Sequence, residues 1–82
     1  MELNSTVADM TSRNYKQRFR AEYQQTLIRR NKLGKLIHNY QQGKLDFMPD
    51  TPIGILASQC AIMDLYLCIL KHRALIENIE LY

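Results

Sequence analysis

Between residues 12 and 42 apolar side chains return at helical intervals: Phe19, Tyr23, Leu27, Leu33, Ile37 and Tyr40 stand three, four or six positions apart with polar residues between them. No proline interrupts this stretch and its one glycine is Gly34, so it predicts a single long helix over about 12–42. Ser12 is placed to cap its start, and Gly43 to end it in a left-handed conformation. The run GKLDFMPDTP that follows mixes turn formers with Leu45, Phe47 and Met48, which predicts a connection whose apolar side chains fold back onto the helix ends. Asp50 or Thr51 then caps a second helix over about 52–79, with Pro52 at its first position, where a missing N–H costs nothing. Residues 1–11 make an N-terminal segment in which Ser5 is placed to cap a short turn.

Helices about 40 to 45 Å long, joined by about ten residues, return antiparallel along each other. The expected fold is therefore all-α: a two-helix hairpin domain over residues 12–82 behind a short N-terminal segment. The second helix carries more apolar surface than one hairpin hides. Thirteen of the sixteen residues 55–70 are apolar, the exceptions being Ser58, Gln59 and Asp64. Leu56, Cys60, Met63, Leu67 and Leu70 fall on one side, suited to the first helix, while Ile55, Ile62, Tyr66 and Ile69 fall on another, suited to a second protomer. A two-helix unit of this size also buries little surface against its chain entropy, so a homo-oligomer is expected. The residues speak against a membrane span, because the apolar stretch 53–70 is short for a bilayer and holds Asp64.

A net charge of +3 over 82 residues conceals a separation: −2 in residues 1–12, nine bases against one acid in 13–44, and −3 in 45–82. Two cysteines build no disulfide framework, and the first residues lack the basic and apolar runs of a signal peptide, so a reduced, cytoplasmic setting is expected. Nothing in the chain predicts catalysis, a metal or a cofactor. His38 and His72 fall on different helices without partners at ligand spacing, no glycine-rich phosphate loop is present, and Cys60 and Cys68 lie about 12 Å apart along one helix.

The bases concentrate where Tyr15, Phe19 and Tyr23 are interleaved with them, a composition that suits phosphate and stacked bases. On a helical wheel Arg13, Lys16, Arg20 and Lys35 take one flank, and Arg18, Arg29 and Lys32 the other. Two flanks do not make a stripe for tracking a duplex; they suit pockets between protomers, and duplex nucleic acid is not the expected partner. Arg30 lies instead within the apolar arc, where a charge must be paired or meet a ligand. A hairpin folding about residue 47 brings it level with Asp64, and an ion pair and a ligand role are both open.

The pattern E-Y-x-x-x-x-x-R-x-x-K-L at Glu22, Tyr23, Arg29, Lys32 and Leu33, followed by L-x-x-Q-x-x-x-M-x-x-Y-x-x-x-L-x-x-R at Leu56, Gln59, Met63, Tyr66, Leu70 and Arg73, resembles a family of small phage proteins first catalogued from crAss-like bacteriophages. The chain departs from it at Thr26 and Arg30, where apolar residues are expected. The hairpin plan also resembles the phage anti-CBASS cyclic-nucleotide sponges. That resemblance implies a helical homo-oligomer, hexameric in those sponges, that sequesters a cyclic di- or trinucleotide immune signal in the infected bacterium without degrading it. It further implies a tyrosine stacked on a nucleobase, matched here by Tyr15, and a downstream lysine on phosphate, at whose distance this chain has Arg30, with Lys32 as the nearest lysine. The expected ligand-binding residues are thus Tyr15, Arg29, Arg30 and Lys32. From a different class comes the alternative, a protein–protein interaction module of the anti-repressor or host-takeover kind that docks through its apolar second helix.

Overall fold

The computed structural model describes residues 1–82. A 3-10 turn over Leu3–Thr6 runs into a short helix α1, Val7–Met10, followed by two long helices, α2 over Tyr15–Gln41 and α3 over Ile53–Glu77. There are no strands, and α2 and α3 lie antiparallel in a body of 43 × 24 × 18 Å.

The helix ends show which residues set the boundaries. Asn14, not Ser12, caps α2: its backbone is extended and its side chain accepts from the Lys16 N–H at 2.9 Å. Ser12 stands one step further out, where its hydroxyl accepts from the Asn14 N–H at 3.0 Å and meets Gln17. The far end of α2 closes as expected at Gly43, whose φ of 68° lets the Lys44 N–H reach the Asn39 carbonyl at 2.8 Å. α3 departs from expectation at its start, for Pro52 is itself the N-cap and neither the Asp50 nor the Thr51 side chain accepts from a backbone N–H of its first turn. It ends two residues early, at Asn78, which takes the left-handed conformation (φ 61°) and turns the Ile79 N–H onto the Ala74 carbonyl at 2.8 Å. Asparagine tolerates that conformation better than other side chains, which is why the chain turns there.

The core is a thin seam between α2 and α3. Phe19 and Tyr23 from α2 meet Leu67, Leu70 and Ala74 from α3, and Ile79 closes the end. Cys60 is buried further along, while Leu56 and Met63 are half-buried. The opposite side of α3, with Ile55, Ile62, Tyr66 and Ile69, faces solvent. Of the three apolar side chains expected to fold back from the connection, only Leu45 is half-buried; Phe47 and Met48 are exposed. Pro49 confines the Met48 backbone to extended conformations, which carries the chain past the helix ends and leaves Phe47 and Met48 in solvent.

The chain's two ends are strapped to α2. Thr6 is fully buried, donates to the Leu3 carbonyl at 2.7 Å and accepts from Gln25 at 2.8 Å, so the N-terminal turn is built on Thr6 and not on a Ser5 cap. At the other end Arg20 donates to the Glu80 carbonyl at 2.8 Å, Gln24 to that of Leu81 at 3.2 Å, and the Tyr23 and Tyr82 hydroxyls share a hydrogen bond of 2.7 Å.

Candidate functional site

The structure gives the four expected ligand residues unlike surroundings. Arg30 is engaged within the protomer. Its Nε donates to Asp64 Oδ1 at 2.6 Å and its Nη2 to Oδ2 at 3.2 Å, a two-pronged pair across the hairpin. That bond holds the Asp64 carboxyl below its usual range and the Arg30 guanidinium above its own. Arg29 is exposed. Lys32 is exposed as well, with its ammonium 3.5 Å from the Glu2 carboxylate.

Tyr15 stands apart from these three, at the N-terminal end of the helix and about 25 Å from Lys32 along its axis. Its hydroxyl donates to Glu77 at 2.7 Å and accepts from Arg73 Nη2 at 3.0 Å. The Arg73 guanidinium lies 4.9 Å above the Phe19 ring, against whose edge the Tyr15 ring packs. The bond to Glu77 raises the Tyr15 phenol above its usual value, and the same bond, with Arg73 adding to it, lowers the Glu77 carboxyl. Arg73 and Glu77 were not among the expected site residues. The signal for them is their spacing of four on one face of α3, at the level where an antiparallel partner of Tyr15 must fall.

Lys32 belongs to a cleft on the middle of α2, of about 310 Å³, where the two ends of the chain come together. Leu27 and Ile28 give it an apolar floor, Gln24 and Asn31 bring amides, and Lys32 and Tyr82 stand at its mouth. The Gln24 amide nitrogen is spent on the Leu81 carbonyl, which leaves its oxygen free to accept. Such a set offers an apolar surface for a flat ring, amides for its polar edge, a phenol for stacking and an ammonium for a phosphate. Cys60 and Cys68 are free thiols, and no three His, Cys, Asp or Glu side chains gather as metal ligands would.

A model of the Sequestin family matches residues 13–76. The chain belongs to the Sequestin family. The Sequestin match takes in the whole of α2 and all of α3 but its last residue, so the hairpin, the pair of Arg30 and Asp64, and the floor of the cleft lie inside it. The two terminal straps lie outside. The name Sequestin points to a sequestering role, in which binding and not catalysis is the activity. No curated protein and no solved structure matches the chain.

Proposed function

We propose that this chain is a phage-encoded, non-enzymatic protein that works as a homo-oligomer in the cytoplasm of the infected bacterium and sequesters a cyclic di- or trinucleotide immune signal. The observation that carries this reading is Lys32 at the mouth of a cleft with an apolar floor and two amides, within a chain of the Sequestin family. Arg29 is exposed, and Lys32 has only the exposed Glu2 carboxylate beside it, which a phosphate would displace; Arg30 keeps the hairpin in register through Asp64. A ligand that touches both Tyr15 and Lys32 must take them from different copies, since the two stand about 25 Å apart on one helix.

The test is calorimetric titration of the purified chain with a panel of cyclic di- and trinucleotides. Binding of at least one is expected, with Lys32→Glu and Tyr15→Ala each weakening it while helicity is kept. Unchanged affinity in both variants rejects this site. Failure of every ligand, together with a host protein recovered on the immobilised chain, favours the protein–protein interaction module. A shallow dependence of affinity on salt is expected, because a ligand with two or three phosphates releases few counterions, whereas a nucleic-acid polymer releases many.

A further inference from the structure

Four isoleucines, Ile55, Ile62, Ile69 and Ile76, stand seven residues apart on α3. All four face solvent, at 59%, 65%, 59% and 83% exposure. Leu65, also exposed, lies between the middle two at the complementary position of the seven-residue repeat, and Ser58 and His72 occupy its equivalents. A repeat of 3.5 residues is the mark of a helix that winds about another helix, and the β-branched isoleucines hold one of its two seam positions throughout, with leucine at the other at its centre. The flanking positions are Gln59, Tyr66 and Arg73 on one side and Ala61, Cys68 and Leu75 on the other. Only Arg73 among them is charged, so little repulsion opposes an identical helix, and the small Ala61 and Cys68 allow close approach.

The area agrees. A compact monomer of 9.7 kDa exposes about 5,100 Å², whereas this chain exposes 5997 Å². The excess of about 900 Å² is close to the roughly 800 Å² that each partner gives to a standard interface. We infer that α3 pairs with α3 of a second copy of this chain along the line of Ile55, Ile62, Ile69 and Ile76. The pairing identifies the surface behind the homo-oligomer proposed above and does not depend on any ligand. It also completes the surroundings of Tyr15. Arg73 borders the groove of Ile62, Leu65, Tyr66 and Ile69, and it donates to the Tyr15 hydroxyl, so a helix seated in that groove reaches the cluster of Tyr15, Arg73 and Glu77.

α3 is long and apolar enough to cross a membrane by length and composition. Lipid is nevertheless the poorer occupant. The side of α3 away from the isoleucines is covered by α2 with its bases, and Asp64 is tied to Arg30 across it, so a spanning α3 would tear the hairpin apart.

Sedimentation equilibrium of the full chain at micromolar concentration tests the pairing, with Ile62→Asp/Ile69→Asp as the variant. Wild type is expected at a multiple of 9.7 kDa. The variant is expected at the mass of one chain with its helicity kept, since both positions are exposed in the protomer, and with self-association weakened by at least roughly 100-fold. A single-chain mass for wild type overturns both the seam and the homo-oligomer, and capture of that monomer by phosphatidylcholine vesicles would identify lipid as the occupant. A variant that assembles like wild type overturns the seam alone.

Discussion

Replacing Leu70 by alanine removes the side chain at the centre of the hairpin core. Leu70 is 1% exposed and packs with Phe19, Tyr23, Leu67, Ala74 and Ile79. Losing its isobutyl group forfeits the transfer free energy of the deleted carbons and leaves a void that two long helices cannot close without shifting, about 3 kcal/mol together. A chain of this length has a stability of about 4–12 kcal/mol, and with 11 of 82 residues buried this one belongs near the lower end. The substitution therefore removes most of what holds the protomer together. It should lower Tm by roughly 12–24 °C. The neighbouring Lys71→Ala, at an exposed position, should change stability by no more than about 0.5 kcal/mol. Thermal unfolding followed by far-ultraviolet circular dichroism measures both, at one protein concentration because the Tm of an assembling chain depends on it. Equal Tm values for the two variants would show that the buried face of α3 has been misassigned.

Gly43→Ala should cost about 1 kcal/mol in urea unfolding, because φ is 68° there and an added Cβ meets nothing within 4 Å, leaving backbone strain as the whole effect; Gly43→Asn should cost less. In the cycle of Arg30→Met and Asp64→Leu, the double variant should lose less Tm than the sum of the two single losses, because the half-exposed pair acts as one unit; strictly additive losses refute the register role of the pair. In acid the chain should lose stability below the ordinary carboxylate range. Asp64 and Glu77 are both held low in the folded state, so their contribution is full above the unfolded pKa values and disappears as pH falls through the folded ones. In alkali the sign reverses. Burial, then the hydrogen bond with Tyr82, pushes Tyr23 up from 10.0 to about 12, so its contribution is full below pH 10 and lost as pH rises towards 12. Ultraviolet titration of the tyrosinates in wild type and Tyr23→Phe checks this, and a Tyr23 that ionises with the exposed tyrosines contradicts it.

How far the fold can be read from the residues depends on the kind of information each feature carries. The two long helices and their antiparallel return follow from apolar spacing and a single proline-bearing break. A charge within an apolar arc and a fold about residue 47 bring Arg30 level with Asp64 but leave an ion pair and a ligand role open, and only the side-chain geometry shows the pair. The helix ends were less legible. Ser12 and Asn14 are both capping residues, and only backbone geometry decides that Asn14 takes the role. Asn78 ends α3 through a left-handed φ that asparagine permits but does not demand. The cleft is the least legible part, because hydrogen bonds from Arg20 and Gln24 to tail carbonyls depend on backbone positions that no periodicity records. Tyr15 lies between these cases: its level on α3 is fixed by the hairpin, whereas its bonds to Glu77 and Arg73 depend on rotamers.

Sequestration by a Sequestin-family chain without catalysis is most directly tested by native mass spectrometry of the wild-type protein with a panel of cyclic di- and trinucleotides. The expected spectrum shows an assembly at a multiple of 9.7 kDa carrying intact nucleotide, and the ligand released on denaturation has its original mass. An assembly that carries no nucleotide from any member of the panel, or ligand released in cleaved form, would contradict the account.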